Sequence, residues 1–207
     1  MERSEKQRHS TAVRSRVALE LVPPMKGARV LDVGCGDGTM LCEVARKVEG
    51  GRLFGVDISE LAAREAAGKG VPVAVADAEG GLPFKDGSFD LVICSEVLEH
   101  LFSPERALDE IRRVLKPTGR LIVSVPNMGY IRKRILLLLG RSPLEPEYPA
   151  HIRFWTLQSF RALLERRGFS VEKVLGRPNR RFKGLAKIFP SLLSDSLFVR
   201  ARPVGKG

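Results

Sequence analysis

The chain has 207 residues, 43% hydrophobic and 29% charged, and its 35 basic and 24 acidic side chains leave a net charge of +11. This is the composition of a globular domain with one buried core, and it excludes disordered, collagen-like and disulfide-scaffold classes. No apolar run reaches the roughly 20 residues that cross a bilayer, MERSEKQRHS has no leader-like apolar segment behind it, and Cys35, Cys42 and Cys94 form no CxxC pair, so the expected setting is cytoplasmic with reduced thiols.

Residues 1–27 are expected to form an N-terminal helical segment. Ala28–Val33 is a buried-strand candidate ending in a glycine cluster, and Thr39–Val48 follows with helical spacing. Arg52–Ile58 is a second strand, and Ser59 is placed to cap a helix from Glu60 to Ala67. Val71–Ala76 and Phe89–Cys94 are the third and fourth strands. Ala107, Leu108, Ile111 and Leu115 form a helical stripe over Pro104–Leu115, and Lys116–Gly119 turns the chain into a fifth strand, Arg120–Val125. Beyond Pro126, Tyr130–Leu139 is basic and then very apolar, and a Pro/Glu-rich stretch covers Ser142–Pro149. Leu157–Arg167 is helical with Gly168 as its stop, and Phe169–Leu175 and Leu197–Ala201 are further strands. Strands alternating with helices of this length predict an α/β fold, a mostly parallel sheet with helices on both faces.

Charge divides unevenly along this order. Residues 1–100 hold 13 basic and 16 acidic side chains, whereas residues 101–207 hold 22 and 8. The second half is suited to an anionic partner, such as a phosphorylated substrate, RNA or a membrane surface, or else presents a solvated basic face. Arg177–Lys187 (RPNRRFKGLAK) has a single interleaved aromatic, Phe182, which fits phosphate contact better than base stacking.

Chemistry concentrates at the predicted strand ends. In VLDVGCGDGT (30–39) the glycines Gly34, Gly36 and Gly38 follow the first strand, where bare backbone lets a ligand approach and the next helix offers amide donors. The spacing is G-x-G-x-G, and Thr39 stands where a dinucleotide fingerprint needs its third glycine. Asp57 ends the second strand, placed to accept from both hydroxyls of a ribose, with Ile58 beside it. Asp77 and Ala78 end the third, placed for an exocyclic adenine amine, and Ser95 and Glu96 end the fourth. Cys35 lies in the turn and Asp32 within the first strand. Glu96, Glu99 and His100 stand at i, i+3 and i+4, which a helical turn would put on one face.

With VLDVGCGDGT, GVDIS (55–59), ADAEGGLPF (76–84), FDLVICSEVLEHL (89–101) and EIRRVLKPTGRLIVSVPN (110–127) in this order, the chain resembles the class I S-adenosylmethionine-dependent methyltransferases, of the type 11/12-like group. The resemblance implies a Rossmann-like sheet of seven strands whose last strand is antiparallel. It implies one domain over 1–207, with a cofactor-binding core at 28–127, an acceptor or lid region at 128–168 and C-terminal strands at 169–207. It also implies that Asp32, Gly34, Cys35, Gly36, Gly38, Asp57, Ile58, Asp77, Ala78 and Ser95 hold S-adenosylmethionine.

A subset of that family pairs E-x-x-E-H with an H-x-R-F-[FW]-T segment, as Glu96–His100 and His151–Thr156 (HIRFWT) do here. The small-RNA 2′-O-methyltransferases look like this, and the ubiquinone-biosynthesis O-methyltransferases do in part. Carried over, Glu96, Glu99, His100 and His151 become a divalent-metal site, for Mn²⁺ or Mg²⁺, with two imidazoles favouring Mn²⁺. On the other reading His100, Glu96 and His151 act on the acceptor without a metal, His100 as a base and His151 as a lid anchor. The second half (PNMGYIRKRILLLLGRSP, HIRFWTLQSFRALLERRGF, LFVRARP) looks most like methyltransferases of cell-envelope and polysaccharide pathways, and more loosely like a methyltransferase-like protein linked to methionine biosynthesis. The expected activity is O-methylation of a small-molecule, sugar or lipid-linked acceptor. The alternatives are a metal-dependent RNA methyltransferase and a non-catalytic cofactor-binding regulatory protein. Tyr130–Leu139 is expected as a lid, with an interfacial membrane helix or a dimer contact as the other readings.

Overall fold

The computed structural model describes residues 15–143, 151–178 and 185–205. Residues 15–21 form a helix, α1, packed by Val17, Ala18 and Leu21. The strands that follow are β1 (Met25–Lys26), β2 (Arg29–Val33), β3 (Val48–Glu49), β4 (Arg52–Asp57), β5 (Val73–Val75), β6 (Phe89–Ser95), β7 (Leu115–Pro126), β8 (Phe169–Pro178) and β9 (Ser194–Pro203). The helices are α2 (Thr39–Ala45), α3 (Glu60–Ala67), α4 (Pro104–Val114), α5 (Ile131–Leu138), α6 (Leu157–Arg166), α7 (Leu185–Ile188) and α8 (Pro190–Leu193), with a 3₁₀ turn at Leu98–His100.

Seven strands form one sheet in the order β5-β4-β2-β6-β7-β9-β8. The pairs from β5 to β7 are parallel, and β9 runs antiparallel to both β7 and β8, so one strand opposes the other six. The expected architecture is therefore present.

The central strands read as unbroken apolar runs because both faces of the sheet are covered. Side chains alternate between two cores. Leu31, Val33, Val92, Cys94, Val123 and Val125 face α4 and α6, meeting Leu108, Ile111, Phe160 and Leu164. Val30, Leu91, Ile93, Ile122 and Phe198 face the other side, meeting Leu21, Leu41 and Val44. Ser59 caps α3 by accepting from Ala62 N at 3.3 Å, as expected. Gly168 stops α6 with φ +76°, and a Cβ there would lie 2.7 Å from the Arg112 guanidinium carbon.

Several boundaries differ from the sequence expectation. The helix from Thr39 ends at Ala45 instead of Val48, because Val48 turns inward to 2% exposure and β3 pairs parallel with β1 (Met25↔Val48) in a separate two-stranded sheet. The turn at Lys116–Gly119 lies inside β7 as an irregularity: Leu115 pairs with Phe89 and Arg120 with Leu91. A side chain at Gly119 would meet Phe89 O at 3.1 Å. The last two strands run longer than their apolar centres, and α7 and α8 fill the connection between them. The helix of Tyr130–Leu139 narrows to Ile131–Leu138, with Tyr130 as its N-cap.

The expectations for residues 1–14, most of the Pro/Glu-rich stretch and the centre of the Arg177–Lys187 stretch lie outside the described residues. Among those described, no helix is long and apolar enough to cross a membrane, and all three cysteines are free thiols.

Candidate active site at the carboxyl edge of the sheet

In a parallel sheet the loops that follow the strands gather at one edge, and ligands bind there. Here that edge collects the glycine turn after β2, Asp57 at the end of β4, Asp77 and Ala78 after β5, and Ser95–His100 after β6. Gly34 N and Cys35 N both donate to Val56 O, at 2.8 and 3.0 Å, which pins the turn to β4. Asp57 then closes it: Oδ2 accepts from Gly36 N at 2.8 Å and Oδ1 from Ser59 N at 2.9 Å. Each oxygen keeps a second lone pair for a ligand hydroxyl. Ala76 N donates to Asp57 O at 3.1 Å, which brings the Asp77 loop alongside. Ile58 is 71% exposed on the same edge.

The three glycines, all expected to face the ligand, have different reasons to be bare. A Cβ at Gly34 would lie 2.3 Å from Val97 Cγ2, and one at Gly38 would lie 2.9 Å from Ala66 Cβ. Those two positions are required by packing as well as by positive φ. Gly36, at φ +52°, opens onto free space. At the start of α2, the helix expected to offer amide donors, the Thr39 amide donates to Asp37 Oδ1 at 3.1 Å.

The electrostatics of the turn are acidic. Asp32 is 3% exposed, and burial together with the charge of Asp57 pushes its carboxyl up to about 8. Burial, reinforced by Asp32 and Asp57, pushes the Cys35 thiol up to about 12, and burial also raises the Cys94 thiol, so neither is a nucleophile at neutral pH. A bound cation relieves the repulsion between the two aspartates, whereas a pyrophosphate would add to it. The open space at Gly36, the spare acceptors of Asp57 and this acidic setting fit S-adenosylmethionine, whose sulfonium and ammonium are positive.

The segment after β6 departs from the expected helical turn. Glu96 adopts φ +56°, the left-handed region rarely occupied by a residue with a side chain. Only Leu98–His100 wind into a 3₁₀ turn. Glu96 consequently leaves the expected metal set: its Oε1 accepts from Ser124 Oγ at 3.1 Å, and Ser124 Oγ in turn lies 2.9 Å from Ser95 Oγ.

Three of the four expected ligands do converge. Glu99, His100 and His151 offer donor atoms within 4.8 Å of one another, and the two imidazoles stand 4.9 Å apart between centroids. Glu99 is wholly buried, His151 half-buried and His100 exposed. Backbone bonds hold the two segments together: Glu99 O accepts from Ile152 N at 2.9 Å and Arg153 N at 3.1 Å. Around them Phe102, Ile152 and Phe154 are exposed at 77%, 42% and 41%, giving the site an apolar mouth.

Two residues that sequence reasoning did not single out organise this edge. Asn127, fully buried, donates from Nδ2 to Ser191 O and Ser194 O and accepts at Oδ1 from Gly129 N, at 2.8–2.9 Å. It also bridges to Trp155, so it ties α5, α8 and the His151 segment to the end of β7. Glu79 accepts from Phe102 N at 3.3 Å and from Ser103 N, which anchors the loop beyond His100. Both stand in quoted motifs (SVPN and ADAEGG), but their roles depend on partners more than 20 residues away.

The sheet order, the glycine turn and the acid series at its edge define a class I S-adenosylmethionine-dependent methyltransferase. The chain belongs to the methyltransferase-domain family, which matches residues 5–174. It is 36% identical over 154 residues to a malonyl-[acyl-carrier protein] O-methyltransferase of Geobacter sulfurreducens, covering 70% of this chain and 57% of the relative. It is 37% identical over 123 residues to a ubiquinone biosynthesis O-methyltransferase of Thiobacillus denitrificans, covering 56% and 52%. The chain thus spans about half the length of these curated relatives.

Solved structures share the fold. A chain from the complex between the Haloferax volcanii Trm112 methyltransferase activator and a methyltransferase superposes with TM-score 0.75 at 20% identity, covering 99% of this chain and 94% of that one. An S-adenosylmethionine-dependent methyltransferase from Mesorhizobium loti gives 0.67 at 21%, covering 92% and 97%.

Proposed function

We propose that this chain transfers the methyl group of S-adenosylmethionine to an oxygen of a small-molecule, sugar or lipid-linked acceptor bound at the Glu99, His100 and His151 cluster. One observation carries the reading. Val97 packs into the bare face of Gly34, so the segment bearing Glu99 and His100 is seated directly on the cofactor turn. The sulfonium is already an activated donor, and the protein's task is to align the acceptor, exclude water and accept its proton. Asp57 holds the ribose, Asp77 and Ala78 border the adenine, and Gly36 leaves the backbone open to the ligand. Asp32, buried behind the turn with its carboxyl raised to about 8, is drawn toward its ionised form when the cationic cofactor binds.

In this reading the exposed His100 takes the acceptor proton, and Glu99 and His151 orient it. The same three side chains suit a divalent ion, and two imidazoles with one carboxylate favour Mn²⁺ or a similar transition ion over Mg²⁺. Such an ion would lower the pKa of an acceptor hydroxyl. The O-methyltransferase names of the relatives support an oxygen acceptor, and the apolar mouth supports one carrying a hydrophobic portion.

The test is S-adenosylmethionine titration by calorimetry, followed by a labelled-methyl assay on extract fractions before and after nuclease. The expected result is saturable binding, weakened by about 1–3 kcal/mol in Asp57→Ala, and label in a nuclease-resistant small molecule or lipid. Label that disappears with nuclease would make RNA the acceptor. Binding without transfer to any fraction would make the chain a cofactor-binding regulator.

A further inference from the structure

We infer that the carboxyl edge of the sheet docks on the surface of an anionic lipid bilayer through α5 and the α7–α8 connection. The argument begins with α5, Ile131–Leu138, none of whose residues is buried. An eight-residue helix gains little from its own hydrogen bonds and ordinarily depends on burying an apolar face. Its attachment lies at its root, where Gly129 and Tyr130 are buried, Tyr130 at 7% exposure. Its leucines remain in water: Leu137 is 54%, Leu138 86% and the following Leu139 66% exposed. Exposed apolar surface of this density marks an interaction site.

Topology extends the patch. Helix α5 leaves the carboxyl end of β7, and α7 and α8 leave that of β8, which runs parallel to β7 through the shared partner β9. Asn127 Nδ2 donates to Ser191 O at 2.9 Å, which sets the root of α5 against α8. The exposed Ile188 (68%) and Phe189 (54%) therefore stand on the same edge as the leucines and as the mouth of the candidate site.

Charge selects the occupant. On the helical wheel Ile131, Ile135 and Leu138 fall on one face, at i, i+4 and i+7, with Arg132 and Arg134 to either side. Cations in a first helical turn oppose the helix dipole, and while Arg134 Nε also donates to Gly129 O at 2.8 Å, both arginines stand beside the apolar stripe. An apolar stripe flanked by arginines, in the half of the chain carrying 22 basic against 8 acidic residues, matches a lipid interface with negative headgroups. The inference does not depend on methyl transfer, because vesicle binding and cofactor binding are read separately.

The test is co-sedimentation of the full chain with phosphatidylcholine vesicles, with and without phosphatidylglycerol. Binding is expected to vesicles containing phosphatidylglycerol and to fall with added salt. Leu138→Asp and Leu139→Asp are each expected to weaken it by about tenfold. Arg132→Gln is expected to weaken the preference for the anionic lipid. All are surface changes, so thermal midpoint and S-adenosylmethionine affinity should hold, which separates loss of docking from loss of fold. No pelleting with either vesicle, or pelleting unaffected by the leucine variants, would overturn the inference. So would a concentration-dependent dimer in sedimentation velocity that Leu138→Asp dissociates, since a second copy would then cover the face.

Discussion

Asp32→Asn offers the sharpest test of the acidic turn. In the folded chain burial and the neighbouring Asp57 raise the Asp32 carboxyl from 3.8 to about 8. Below pH 3.8 both folded and unfolded chains hold the proton, and the group is neutral toward stability. As pH rises, the unfolded chain releases its proton while the folded chain keeps it, so stability falls with pH until the folded group titrates near 8. At pH 7 the penalty integrates to about 4 kcal/mol at most, at 1.36 kcal/mol per pH unit. Asparagine keeps the shape and lacks the charge. The variant is expected to match the parent near pH 4 and to exceed it at pH 7–8, by up to about 10 °C in thermal midpoint for a chain of this size. Urea unfolding at several pH values measures the difference. The cofactor sharpens the test. A cationic ligand favours the carboxylate, so binding to the parent at pH 7 should release a fraction of a proton, read by calorimetry in buffers of different ionisation enthalpy. Asp32→Asn should release none. A variant less stable than the parent at pH 8 yet equal at pH 4, or an unchanged proton release, would refute the reasoning.

Gly34→Ala should weaken cofactor binding and lower stability by about 2–4 kcal/mol, combining a left-handed φ with the Val97 contact. Adding Val97→Ala should restore the packing share while leaving the backbone share, as double-mutant thermal unfolding would show. Asn127→Ala strands two carbonyls and an amide, and should cost about 2–4 kcal/mol. Hydrogen exchange should then rise in α5 and in the His151–Trp155 segment before it rises in the central strands.

The sheet was readable from residue order because its central strands are covered on both faces and so appear as unbroken apolar runs. Ser59 and Gly168 marked helix ends because a cap and a left-handed stop each need a specific residue type. Short elements were not readable in this way. Strands β1 and β3 contribute two residues apiece, below the length at which alternation shows, and they exist because Val48 is drawn inward. The reading of Lys116–Gly119 as a turn recognised the right residues; β7 absorbs them as a bulge because Arg120 regains register with Leu91. The glycine turn was legible as a motif and only partly as a mechanism. Sequence cannot distinguish a glycine bare for a ligand, as at Gly36, from one bare for Val97 or Ala66.

The acceptor cluster shows why local period misled about Glu96 and yet found its neighbours. Spacing of i, i+3 and i+4 describes a continuous α-helix, but the chain leaves β6 through a left-handed residue and tightens into a 3₁₀ turn. That rotation sends Glu96 back to Ser124, at the end of β7, and drives Glu99 inward. A carboxyl so deeply buried is costly unless something nearby favours it, and the imidazoles of His100 and His151 are close by. His151 arrives from 51 positions along the chain from His100, its segment held by hydrogen bonds from Ile152 N and Arg153 N to the carbonyl of Glu99 itself. The residue that supplies the buried acid therefore also supplies the backbone acceptor that recruits the second histidine. Replacing its side chain by glutamine preserves that recruitment and isolates the charge.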